Sequence, residues 1–96
     1  MTWIPVVPAQ QAQGELLEAY RDVYALYPHE YGVEVDAVRR GDGSSDSIVA
    51  AHSLIPQALR HAMSAYGVLL SPELPLTRRQ HEMIATVVSA LNGCFY

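Results

Sequence analysis

Lysine is missing from this chain of 96 residues: all six basic side chains are arginines, set against ten Asp and Glu, for a formal charge of −4 and an isoelectric point near 5.4. Beyond the pairs Arg39-Arg40 and Arg78-Arg79 there is no basic cluster. Nucleic acids and anionic membranes are gripped by patches of Lys and Arg, so this balance argues against both as main partners. Cysteine is nearly absent too. With Cys94 alone no internal disulfide framework can form, and such thiol usage points to the cytoplasm. Long apolar runs are also lacking. The unbroken ones cover only a few residues, far short of the roughly 20 that a membrane-spanning helix requires. The first residues hold Pro5 and Pro8 and no positive charge, so no secretory leader is expected there.

What remains is the composition of a folded protein. Half the residues are apolar, 17% are charged and the mean hydropathy is +0.07, which is too rich in apolar side chains for a disordered chain. At 10.6 kDa the expectation is a single domain over residues 1–96. A chain this small buries a modest share of its surface, so it is expected to hide the rest against further copies of itself.

Hydrophobic spacing predicts an all-α fold of three to four helices. Residues 1–13 read as an extended arm. Leu16, Leu17, Tyr20, Val23, Tyr24 and Tyr27 then recur at three- and four-residue steps, the apolar stripe of an amphipathic helix that Pro28 ends. In residues 28–47 the pattern is weak: Val33, Val35 and Val38 allow a short strand or a ragged helical turn. Residues 41–47, two glycines among Ser and Asp, form a loop. Asp46 or Ser47 is placed to cap a short helix over residues 48–53. Pro56 suits the first position of the next helix. Its stripe is Leu59, Ala62, Met63, Tyr66, Leu69 and Leu70, weakened slightly by Gly67 and stopped at Ser71-Pro72. Thr77 and Gln80 have the spacing of a capping box, and Asn92-Gly93 of a C-terminal stop. Between them Met83, Ile84, Ala85, Val87, Val88, Ala90 and Leu91 leave only a narrow polar strip, so this helix is expected in the core.

Two residues stand out chemically. Glu82 is expected in the first turn of the last, buried helix, where a carboxylate is favoured by the helix dipole or by pairing with Arg78 or Arg79. Cys94 follows the Asn-Gly stop. It reads either as a small buried hydrophobe or, if a helix begins there, as a sulfur whose thiolate form is stabilised. Twelve residues separate the two, about 18 Å along one helix. Glu82 therefore cannot act on Cys94 of its own helix, but could serve a residue on the return arm of a helical hairpin.

The stretch from Leu76 through Tyr96, with Glu82 and Cys94 at this spacing, resembles the core of the AhpD-like proteins. These are the alkylhydroperoxidase D and peroxidase-related branch of the carboxymuconolactone decarboxylase superfamily. The segment from Ala51 through Leu59, with His52 and Pro56, resembles the family's upstream helix, so the likeness covers nearly half the chain and the N-terminal portion of the AhpD-like helical fold. It implies peroxide reduction or thiol–disulfide exchange without a cofactor or metal. Cys94 stands at the first cysteine of a C-x-x-C pair, and Glu82 at the far end of a Glu–His proton relay. It also implies trimers or hexamers. The second cysteine falls at position 97 and the histidine at position 101. Without them the dithiol cycle cannot close, and the 96 residues alone are expected to be inactive. Some members of the family carry selenocysteine at a motif cysteine, so the expectation is an in-frame UGA codon after Tyr96; a mutated cysteine codon or a pseudogene is the rival.

Two other functions fit less well. A carboxymuconolactone decarboxylase-type lyase shares the scaffold but needs no Glu–Cys set, and a non-catalytic helical oligomer would keep Cys94 as a structural residue. His52, His61, His81 and Cys94 show no zinc-like spacing, so no metal site is expected. His52 is read as satisfying a backbone group near a helix start, His61 and His81 as facing solvent or an interface. The tyrosines clustered from Tyr20 to Tyr31 are read as core and interface filler.

Overall fold

The computed structural model describes residues 4–29, 36 and 48–94. Their regular structure is helical, with no strand among the described residues: α1 (Gly14–Leu26), α2 (Pro56–Leu69) and α3 (Arg78–Leu91), with 3₁₀ turns at Ala9–Gln11 and Ala50–His52. The fold class is all-α, as the spacing predicts. The strand considered at Val33, Val35 and Val38, the loop at 41–47 and the caps Asp46 and Ser47 lie outside the described residues.

α1 and α2 pack on each other and enclose the core. Ala19, Tyr20 and Val23 of α1, Leu59 of α2, and Ala12 and Val49 are buried, with Leu16, Leu17, Tyr27 and Met63 packed around them. The predicted stripe of α1 is the buried face, except that Tyr24 sits at its edge and is exposed. α1 ends because Tyr27 is extended (ψ 144°), the backbone that a residue before proline must adopt. On α2 the stripe is narrower than expected. Leu59 and Leu70 are buried and Met63 half-buried, but Ala62, Tyr66 and Leu69 are exposed. The short helix expected over residues 48–53 is the 3₁₀ turn Ala50–His52. An ion pair between Arg60 Nε and Asp22 Oδ2 (3.3 Å) links the two helices at their surface. Arg60 Nε makes no directed hydrogen bond there, so the contact is one of charge.

The N-terminal arm is anchored. The Val7 N–H donates to Ser53 Oγ (2.8 Å), and the Tyr20 hydroxyl donates to the Val7 carbonyl (2.6 Å). Ser53 is the buried polar residue of the core, and this pairing satisfies it. Tyr20 stacks on Tyr24, and Tyr27 meets Tyr24 and Tyr66 edge-on at 5.5 and 5.7 Å between ring centres. Of the tyrosines read as core and interface filler, Tyr20 is buried and Tyr27 half-buried, whereas Tyr24 is exposed and Tyr31 lies outside the described residues. Burial, then the neighbouring Tyr24 and Tyr66, pushes the Tyr27 hydroxyl up to about 12 from an ordinary 10.0. Burial and Tyr24 also raise Tyr20, partly offset by its bond with Ser53.

Both shifts favour the neutral phenol in the folded state. Their stabilisation is complete below the unfolded value of 10.0 and is lost as the pH rises through the folded values. The denaturant midpoint is expected to fall between pH 10 and about 12. Tyr27→Phe should make that decline shallower, which a series of urea melts across this range checks.

α3 is the main departure from expectation. It begins as predicted: Thr77 Oγ1 accepts from the Gln80 N–H (3.2 Å) while Gln80 Oε1 accepts from the Thr77 N–H (2.8 Å), a complete capping box. It does not enter the core, and none of its residues is buried. Met83, Ile84, Val87, Val88 and Leu91 are 50 to 82% exposed. At 100° per residue these five fall within an arc of about 140°, so the helix is amphipathic and not apolar all round. The alanines at 85 and 90 made the apolar surface look wider than it is.

Candidate functional site

Glu82 is the fifth residue of α3, one turn in from the start and not in the first turn. The Arg78 Nε–H donates to Glu82 Oε1 (3.0 Å), the i,i+4 pairing that the sequence allowed, and the Glu82 main-chain carbonyl accepts from Thr86 Oγ1 (2.7 Å). The pair is part-exposed and is worth only a few tenths of a kcal/mol. The half-buried residues of α3 are Arg78, His81, Glu82 and Ser89. The covered side of the helix is thus its polar one, and Glu82 lies on it, away from the apolar arc.

Cys94 hangs on a well-formed helix stop. The Gly93 N–H donates to the Ala90 carbonyl (3.2 Å) and the Cys94 N–H to the Ser89 carbonyl (2.9 Å), the paired bonds of a Schellman motif. Gly93 takes the left-handed φ of +61° that the motif needs, a backbone that costs other residues about 1 kcal/mol or more. Cys94 is exposed, so it is not the small buried hydrophobe considered from the sequence. Nor does a helix begin there among the described residues. The helix end beside Cys94 is the carbonyl end of α3, which disfavours an anion. Glu82 and Cys94 stand a helix length apart, on α3 and just past it, and the structure does not bring them together.

His52 does what was expected of it: its Nδ1–H donates to the Ile48 carbonyl (2.7 Å), which closes the 3₁₀ turn. His61 is exposed, whereas His81 is half-buried, its Nε2 covered and without a hydrogen-bond partner. Among the described residues no three His, Cys, Asp or Glu side chains converge on a common point, and no helix is long and apolar enough to cross a membrane. Sequence reasoning missed the clasp of Val7, Tyr20 and Ser53. An isolated serine in an apolar stretch was its only signal.

The fold and the site define a helical protein with one exposed thiol beyond an amphipathic helix. No protein-family model matches the chain, and no curated protein or solved structure is significantly similar to it.

Proposed function

We propose that this chain carries one part of an AhpD-like thiol (or selenol) oxidoreductase site, acting in the cytoplasm as a homo-oligomer on a peroxide or a disulfide. The observation that supports this reading best is the exposure of Cys94: a small oxidant can reach its Sγ, and a structural cysteine would be covered. Glu82 supports it more weakly, as a carboxylate on the covered, polar side of the same helix.

In this reading the sulfur of Cys94 pairs with a sulfur or selenium at position 97. The two give up two electrons and two protons to a hydroperoxide, whose O–O bond breaks to leave an alcohol and water. The resulting S–S or S–Se bond is reduced in turn by an external dithiol. Glu82 acts at a distance as the positioning end of a proton relay through a histidine at position 101. The carbonyl end of α3 does not favour a thiolate, so the helix itself does not activate Cys94.

The test is hydroperoxide consumption by a chain extended through position 101, with Cys or selenocysteine at 97 and His at 101, supplied with dithiothreitol. Turnover is expected, reduced at least tenfold by Glu82→Gln and abolished by Cys94→Ser. No turnover, or turnover indifferent to Cys94→Ser, would overturn the reading.

A further inference from the structure

The sequence holds three methionines, of which the structure describes Met63 and Met83. Met83 is 57% exposed on α3. Met63, in the middle of α2, is half-buried and packs against the core. The Tyr27 hydroxyl, one residue past α1, donates to Met63 Sδ (3.8 Å) across the seam between the two helices. A thioether is a weak acceptor, whereas oxidation turns it into a polar sulfoxide, whose oxygen accepts strongly. Burial and the neighbouring rings push the Tyr27 hydroxyl up to about 12, so the donor keeps its proton at any physiological pH.

We propose that Met63 is an oxidation site: its thioether takes one oxygen from a hydroperoxide, and the Tyr27 hydroxyl then holds the sulfoxide within the folded seam. The sulfur lone pair attacks the terminal peroxide oxygen. An S–O bond forms as the O–O bond breaks, and the proton on the transferred oxygen passes to the leaving one. The sulfur gives up two electrons, and the peroxide is reduced to water or an alcohol. A sulfoxide left without a partner in an apolar seam would carry the full cost of desolvating its oxygen. Here the flexible methionine side chain can turn that oxygen to the hydroxyl already facing Sδ. At Met83 the same change would be met by water. Met63 is therefore the place where oxidation bears on the packing of α1 against α2, with Tyr27 as the positioning residue.

The chemistry involves neither Cys94 nor position 97, and its test uses a Cys94→Ser chain, in which the dithiol reading expects no turnover. Hydrogen peroxide is added to the folded chain, and tryptic peptides, which separate the three methionines, are weighed over time. Met63 is expected to gain one oxygen, more slowly than Met83, at a rate that low urea leaves unchanged. Met63 still unmodified once Met83 is converted, or modified only in step with the unfolded fraction, would overturn the proposal. With Met83→Leu added, urea melts then compare oxidised and unoxidised chains. A buried acceptor that loses its donor shifts an equilibrium constant by about tenfold or more. Oxidation should therefore lower the folding constant by about that factor more in Tyr27→Phe than in the parent, while Tyr24→Phe should behave as the parent does. Met63→Gln, whose amide carbonyl stands in for the sulfoxide oxygen, repeats the comparison without an oxidant. Equal losses with and without the Tyr27 hydroxyl would overturn the proposal as well.

Discussion

Leu59→Ala is expected to destabilise the fold by about 2–5 kcal/mol, the range for truncating a leucine in a packed interior. Among the described residues Leu59 and Val23 are the largest side chains that are wholly buried, and both belong to the core that α1 and α2 enclose. A chain of this size has a total stability of about 5–14 kcal/mol, so the loss removes a large fraction of it. The comparison that gives the number meaning is Leu91→Ala. The same chemical change on α3, where the side chain is 82% exposed, should cost about 0.5 kcal/mol or less in the isolated subunit. Urea unfolding repeated at two protein concentrations separates any self-association from both measurements. Equal losses at the two positions would mean that α3 belongs to the core after all.

The second large effect is expected at Gly67. By helix propensity alone Gly67→Ala should stabilise α2 by about 1 kcal/mol. The structure reverses that sign. A Cβ built at Gly67 would stand 2.7 Å from Leu26 Cβ, closer than two carbons can approach. The neighbour is the root of a side chain, not its flexible end, so α1 and α2 must separate to admit the methyl group, at a cost of about 1–3 kcal/mol. A net loss of stability in thermal melts is the expected result. Leu26→Ala should not rescue it, because alanine keeps the offending Cβ, whereas Leu26→Gly should. Gly67→Ala that raises the melting temperature would show that the helices do not pack this closely.

These two positions also mark the limit of what the sequence makes legible. Elements defined by local chemistry could be read directly. Pro28 and Pro56 bound α1 and α2, Thr77 and Gln80 start α3, and Asn92-Gly93 ends it, because a cap or a missing N–H acts within one turn of chain. The buried face of α1 was legible for the same reason, since six apolar residues share one spacing. Gly67 was not, because a glycine in a helix has the same propensity cost whether or not a neighbouring side chain needs the space. The clasp of Val7 by Tyr20 and Ser53 was not legible either, since it joins residues far apart in sequence. α3 misled most. Counting its alanines as core-facing turned an amphipathic helix into an apparently buried one, and only the exposure of Met83, Ile84, Val87, Val88 and Leu91 separates the two. At the site, the positions of Glu82 and Cys94 on α3 and just past its end were legible from spacing, while the exposure of the thiol was not.

The redox reading proposed above rests on Cys94 being a reactive sulfur able to pair with a cysteine or selenocysteine placed at position 97. The most direct measurement is the intact mass of the chain extended through position 101, with cysteine at 97, after one equivalent of hydroperoxide. Loss of two hydrogens, with peptide mapping that joins Cys94 to position 97, is the result expected. Recovery of Cys94 as an unmodified thiol, with the peroxide unspent, would contradict it.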